Sequence, residues 1–181
     1  MEQKKVTVFQ HALVYGLILG LALIVYSILL YMINMTFNIG LSLISWVIII
    51  IGITLGTKAY RDKVLGGTIS YGNALGTGIL IVLVAGAVSA IFNYILTTII
   101  DPGLMDKYFQ IVEERLAKRG MSDDQIELFS ARMRESSSPL KTMIFGIVGF
   151  AFFGTIISLI TSAFLKKESD PFGSQQTLDN Q

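Results

Sequence analysis

The side chains able to do chemistry at membrane depth are few and uncharged. The main polar residues inside long apolar runs are Ser27, Asn93, Thr97, Thr155, Ser158, Thr161 and Ser162. Hydroxyls and a carboxamide can hydrogen-bond a ligand or a neighbouring helix. Proton relays, ion-coupled carriers and voltage sensors call instead for an ionisable group at depth. No Asp, Glu, Lys or Arg falls within the stretches expected to sit in hydrocarbon. Asn93 could line a pore or cavity, and the plainer expectation is an interhelical hydrogen bond. His11 is the single histidine, at the edge of the first apolar run, and is expected at the interface. One imidazole cannot build a metal site alone. The chain has no cysteine, which excludes disulfides, thiolate metal sites and cysteine nucleophiles. It has no HExxH, no paired intramembrane Asp and no Ser/His arrangement at membrane depth. Gly66-Gly67 lacks the GK[ST] and preceding strand of a phosphate loop. The expectation is therefore a protein that is not an enzyme, with no metal and no cofactor.

The elements that would position these residues are four apolar runs, at 12–34, 41–60, 71–100 and 139–166. A bilayer core takes roughly 20 helical residues, so each can cross. The fold class expected is all-α: a polytopic membrane protein of four transmembrane helices, with a short helical extracytoplasmic cap between the third and fourth. Its 181 residues make one domain. Charged residues are 15% of the chain, against about 25% in average soluble domains. A net charge of +1 offers no basic field for nucleic acid. The lipid bilayer is the one obligatory partner. The first run exceeds the roughly 7–15 residues of a signal-peptide core and has no small-x-small site after it, so it reads as an uncleaved anchor.

An even number of spans puts both ends of the chain on one side. The tail 1–11, the loop 61–70 and the tail 167–181, read as disordered, share that side. Its cations are Lys4, Lys5, Lys58, Arg61, Lys63, Lys166 and Lys167, nearly all close to a span end. On the other side, the turn Met35–Gly40 is uncharged, and the segment 101–138 mixes Arg and Lys with many carboxylates. Cations near span ends orient a chain most strongly. Both termini are therefore expected in the cytoplasm of a cell with this protein in its inner (plasma) membrane. Trp46, Tyr31, Tyr60 and Tyr71 fit interfacial aromatic belts. The sequon Asn34-Met35-Thr36 abuts the bilayer and reads as chance.

Small residues recur at four-residue spacing, which lets helix backbones approach closely in lipid. They are Gly16 and Gly20; Gly52 and Gly56; Gly72 and Gly76; Gly78, Gly86 and Ala90; and Gly154, Ser158 and Ser162. Because every span has such a face, packing within the chain is the plainer reading and a homo-oligomer interface the sharper one. The third span, counted from Tyr71 to Ile100, would measure about 45 Å at 1.5 Å per residue, beyond the roughly 30 Å hydrocarbon core. It must tilt or project outward.

The segment 101–138 reads as two short helices. Asp101 is an N-cap candidate with Pro102 at the first helical position. Gly120 ends the first helix, Ser122 and Gln125 form a capping box for the second, and Ser138-Pro139 opens the fourth span. Tyr108, Val112, Leu116, Ile126, Phe129 and Met133 form an apolar stripe, with Glu114, Lys118 and Asp124 facing water. Helices this short are marginal in water, so the stripe needs a surface to cover it. That surface is the bundle or headgroup layer, or else another membrane or envelope protein.

Several of these features recur in a fixed order. They are Tyr60-Arg61, Gly67-Thr-Ile-Ser-Tyr-Gly-Asn-Ala-Leu, Ile100-Asp-Pro, Arg119-Gly-Met-Ser-Asp-Asp-Gln-Ile and Ile157-Ser-Leu-Ile. Over about residues 8–167 the chain resembles the bacterial four-helix membrane family catalogued as domain of unknown function 4199. The resemblance implies a bacterial inner membrane and carries no activity. Two functions remain in view. The first is a non-enzymatic scaffold acting in assembly or envelope maintenance. The second is a small oligomeric channel or transporter, with Asn93 and the Ser/Thr face of the fourth span lining the path. A continuous polar cavity would favour transport, and a dry closed core would favour scaffolding.

Overall fold

The computed structural model describes residues 7–167. Lys4, Lys5 and the tail beyond Lys167 lie outside the described residues. Four helices are long and apolar enough to cross a membrane. They are α1 (Val8–Met32), α2 (Ile39–Lys63), α3 (Tyr71–Ile95) and α6 (Pro139–Leu165). A π-helical turn, Leu96–Ile100, prolongs α3. Between it and α6 stand two shorter helices, α4 (Leu104–Lys118) and α5 (Asp123–Ser136).

Local chemistry fixes the helix ends. α1 starts a turn before its apolar run because Thr7 and Gln10 form a capping box, each side chain taking the other's backbone N–H at 3.2 Å. It stops at a Schellman turn with Asn34 in the left-handed region at φ 56°. There Met35 N–H reaches Leu30 C=O at 2.9 Å and Asn34 N–H reaches Tyr31 C=O at 3.0 Å. Asn34 thus has a backbone role, as one of the few non-glycine residues that tolerate this conformation. Gly120, at φ 86°, closes α4 the same way. Ser138 accepts from Lys141 N–H at 3.3 Å, and Pro139 is the first residue of α6.

One helix start differs from expectation. Asp101 does not cap α4, whose N-cap is Gly103. Residues 101–104 form a turn instead, with Leu104 N–H bonding Asp101 C=O at 3.1 Å, so the helix starts after it; Asp101 has φ −139°, ψ 83°. Its N–H bonds back to Leu96 C=O at 2.8 Å, closing the π turn. Its carboxylate accepts from Tyr31 Oη at 3.3 Å and from Lys107 Nζ at 3.2 Å.

α3 is the central helix, packed against α1, α2 and α6, while α2 also touches α1 and α6. The core is Ala12, Leu19, Leu23, Ile49, Ile53, Ile81, Val82 and Ala85. Large side chains elsewhere on the spans point outward: Phe164 is 85% exposed and Phe145 73%. A soluble surface rarely carries so much contiguous apolar area; a bilayer covers it. Hydrocarbon is as apolar as the helix contacts, so association rests on close packing.

The packing glycines lie inside the chain's own seams. A Cβ on Gly16 would stand 2.6 Å from Val84 Cβ, and one on Gly20 3.1 Å from Val88 Cβ, both on α3. Gly52 faces Leu19, and Gly56 faces Tyr15 and Ile81. Gly78 lies under Ser158, Gly86 under Phe150, and Gly154 against Val82. Ser158 and Ser162 are buried in the same α3–α6 seam. Gly72 and Gly76 have open space beside them among the described residues, so they do not serve the seams within the chain.

At the end opposite the cap, residues 64–70 are tied down. Ile69 and Lys167 exchange backbone hydrogen bonds of 2.8 and 3.0 Å, and Arg61 donates to Leu165 C=O at 3.3 Å. Tyr60 is not in an interfacial belt but buried with Ile69 and Ala74.

Candidate functional site

His11 is likewise interior. Its Nε2 lies 2.9 Å from Gly56 C=O, its ring stacks on Tyr15 at 4.5 Å, and Tyr60 is 5.0 Å away. A carbonyl only accepts, so Nε2 carries the proton. A Cβ on Gly56 would stand 3.2 Å from Tyr15 Cβ, so the glycine lets this part of α1 come close. This corrects the interfacial expectation: His11 clasps α1 to α2. Among the described residues no group of His, Asp or Glu is placed to hold a metal.

The cap is an α4–α5 hairpin. Arg134 on α5 pairs with Asp106 at 2.7 Å, reaches Glu113 at 3.7 Å, and lies over the Phe109 ring at 4.5 Å. Phe109 and Leu104 are buried, whereas Tyr108 is 37% and Phe129 44% exposed. The stripe inferred from sequence was therefore turned slightly about the helix axis. Val112, Leu116, Ile126 and Met133 are half-buried, while Glu114, Lys118 and Asp124 face out. Position 109 was missed because two adjacent aromatics, Tyr108 and Phe109, fit helical periodicity almost equally well. Two polar contacts fasten the hairpin to the bundle end: Arg115 donates to Phe37 C=O at 3.1 Å, and Lys107 pairs with Asp101. The Phe37 and Tyr108 rings are 5.4 Å apart.

Beneath the hairpin lies a chamber of about 660 Å³, within the roughly 300–1,000 Å³ of small-molecule sites. All four spans wall it, and Leu104, Met105, Tyr108 and Met133 roof it. Its deepest residues are Leu23, Ile49, Ser89 and Phe150; Leu23, Ile49 and Phe150 lie within about one turn of their helix midpoints. Below them the packed core of Leu19, Ile53, Ile81 and Val82 closes the bundle. The walls are mainly aliphatic and aromatic, and no lining residue is charged.

Asn93 lines this chamber. Its carboxamide makes no hydrogen bond among the described residues, contrary to the interhelical bond expected of it. Ser89 Oγ is buried without a partner. Thr97, in the π turn, also lines the chamber, with its hydroxyl bonded back to Asn93 C=O at 2.9 Å. Sequence reasoning missed Ser89 altogether; its place one turn before Asn93 on α3 is the signal that could have found it. Thr155 and Thr161 lie away from the chamber, their hydroxyls bonded to Ala151 and Ile157 carbonyls at 2.7 and 2.9 Å. The structure thus separates Asn93 from the Ser/Thr face of α6.

A smaller cavity of about 330 Å³, lined only by α3 and α6, shares Ser89, Asn93, Thr97, Thr142, Gly146 and Phe150 with the chamber. The shared residues lie on the cap side of Gly86 on α3 and of Gly154 on α6. A Cβ on Gly146 would touch nothing there, whereas the same seam is closed at Gly86 and Gly154.

No curated protein and no solved structure matches the chain. One family model does, over residues 14–167, described as a protein of unknown function, DUF4199. With four apolar spans and a match covering most of its length, this multi-pass membrane protein belongs to the DUF4199 family.

Proposed function

We propose that the protein is non-catalytic and acts in assembly or maintenance of the cell envelope, with the α4–α5 hairpin as its extracytoplasmic docking element. The observation carrying this reading is the hairpin's outer face. Leu128 and Phe129 are 57% and 44% exposed, on a hairpin tethered to the bundle by Arg115 and Lys107. An apolar pair held out on a fixed support suits capture of another envelope protein. Lys58, Arg61, Lys63, Lys166 and Lys167 lie at the opposite end, which supports cytoplasmic termini in an inner membrane.

The channel reading draws on the chamber and Asn93. Against it stands the apolar core, which leaves the chamber one-ended. A photocrosslinking residue at Phe129 in native membranes tests the scaffold role. A discrete protein adduct, lost when Leu128 is changed to Glu, supports it. Adducts with lipid alone refute it. Solute flux through proteoliposomes, blocked by Asn93→Leu, would establish the channel instead.

A further inference from the structure

We propose that the chamber binds one uncharged, hydroxyl- and carbonyl-bearing glycerolipid of the diacylglycerol class, admitted sideways from the bilayer between α3 and α6. This is independent of the hairpin's partner.

The chamber's chemistry selects the headgroup. It has no charged lining residue, so a phosphate or ammonium would lose its water and gain no counter-charge. A glycerol ester would lose little and find partners. Asn93 offers two donors and an acceptor to the chamber, and Ser27, Ser45 and Thr142 add hydroxyls to its lining. Ser89 Oγ, one turn deeper, is buried without a partner among the described residues. The aliphatic and aromatic walls suit the first part of an acyl chain.

The route follows from the opening. The roof residues Leu104, Met105, Tyr108 and Met133 cover the water side, and the core blocks the far end. On the flank, the smaller cavity between α3 and α6 shares six lining residues with the chamber, so a small parting of these two helices would join them. Gly146 stands at that junction with nothing beside it, and Pro139 and Met143 of α6 continue the groove. A lipid can hold its glycerol at Asn93 while its tails remain in the bilayer.

The test uses the full chain in nanodiscs with a photoactivatable diacylglycerol, mapping labelled peptides by mass spectrometry. Labelling is expected at chamber residues of α3 and α6. Gly146→Trp, which fills open space, should abolish it without lowering the melting temperature. Asn93→Leu, removing about one net hydrogen bond, should weaken labelling about five-fold. Equal labelling by a phosphatidylglycerol probe, or labelling indifferent to Gly146→Trp, overturns the proposal. The chain has no cysteine, so Thr142→Cys, at an exposed residue of the chamber lining, and Lys118→Cys give a second measurement. If a membrane-impermeant maleimide modifies both equally fast in nanodiscs containing diacylglycerol, the chamber is a water vestibule and the proposal fails. Protection of the cysteine at position 142 that appears only when the lipid is present supports it.

Discussion

Gly154→Ala adds one methyl group to the α3–α6 seam, and the structure says how badly it fits. The new carbon would overlap Val82 Cγ1 and stand 2.9 Å from both Cβ and Cγ2. Carbon atoms rest at about 3.5–4.0 Å, so relief of the longer contacts alone asks for roughly 0.6 Å of separation. Val82 cannot turn aside easily, since a β-branched side chain in a helix has essentially one χ1 rotamer. It is also only 1% exposed, so no free space receives it. α6 must therefore move off α3. Overpacking of this kind costs about 1–3 kcal/mol, equivalent to a fall of roughly 5 °C in melting temperature for a chain of this size. In lipid, no water-driven collapse compensates for the lost contacts. Gly146→Ala on the same helix is the control. It meets no neighbour, and alanine favours a helix over glycine by up to about 1 kcal/mol. Its melting temperature should stay level or rise. Val82→Ala removes the opposing methyls and should restore most of the Gly154→Ala loss in the double variant, a positive coupling measurable by a mutant cycle. Thermal melting in detergent, followed by a thiol-free dye or tryptophan fluorescence from Trp46, reads all four proteins. If Gly154→Ala melts like Gly146→Ala, or Val82→Ala rescues nothing, the seam is not packed as described.

Loss of the interhelical bond in His11→Phe should destabilise the bundle by about 0.5–1.5 kcal/mol, read as a lower melting temperature relative to wild type; an unchanged melt would show that the imidazole clasps nothing. In the hairpin, Phe109→Ala should speed hydrogen exchange across residues 104–118, while Phe129→Asp leaves it unchanged, because Phe109 is buried and Phe129 is 44% exposed. The opposite ranking would mean that the stripe faces the other way. Reporter fusions at Gly66 and Gly120 should give cytoplasmic and extracytoplasmic signals respectively, as the cation clusters require; reversed signals would invert the orientation.

The number and length of the spans were legible in the sequence because a bilayer demands little else of a helix than apolar length. Helix ends were legible wherever a local residue decides them, as at Ser138-Pro139 and Gly120. Asp101 misled because its carboxylate is taken by Tyr31 and Lys107 rather than by a helix N–H, and those partners meet it only in the folded bundle. The inward faces were harder to read. In a soluble helix the polar side announces which way is out, and so the hairpin's stripe was found to within one residue. In a span, lipid and neighbouring helix are equally apolar, and composition does not mark the buried side. Gly76 and Gly78 look alike along the chain, yet only Gly78 has a partner, Ser158, because α6 crosses α3 there. His11 and Tyr60 looked interfacial by depth, but the approach of α1 to Gly56 buried the first, and Ile69 and Ala74 covered the second. The chamber belongs wholly to tertiary structure. Asn93 and Ser89 acquire a shared space with Leu23, Ile49 and Phe150 only when four helices splay beneath a hairpin, and no local pattern of residues encodes the volume left between them.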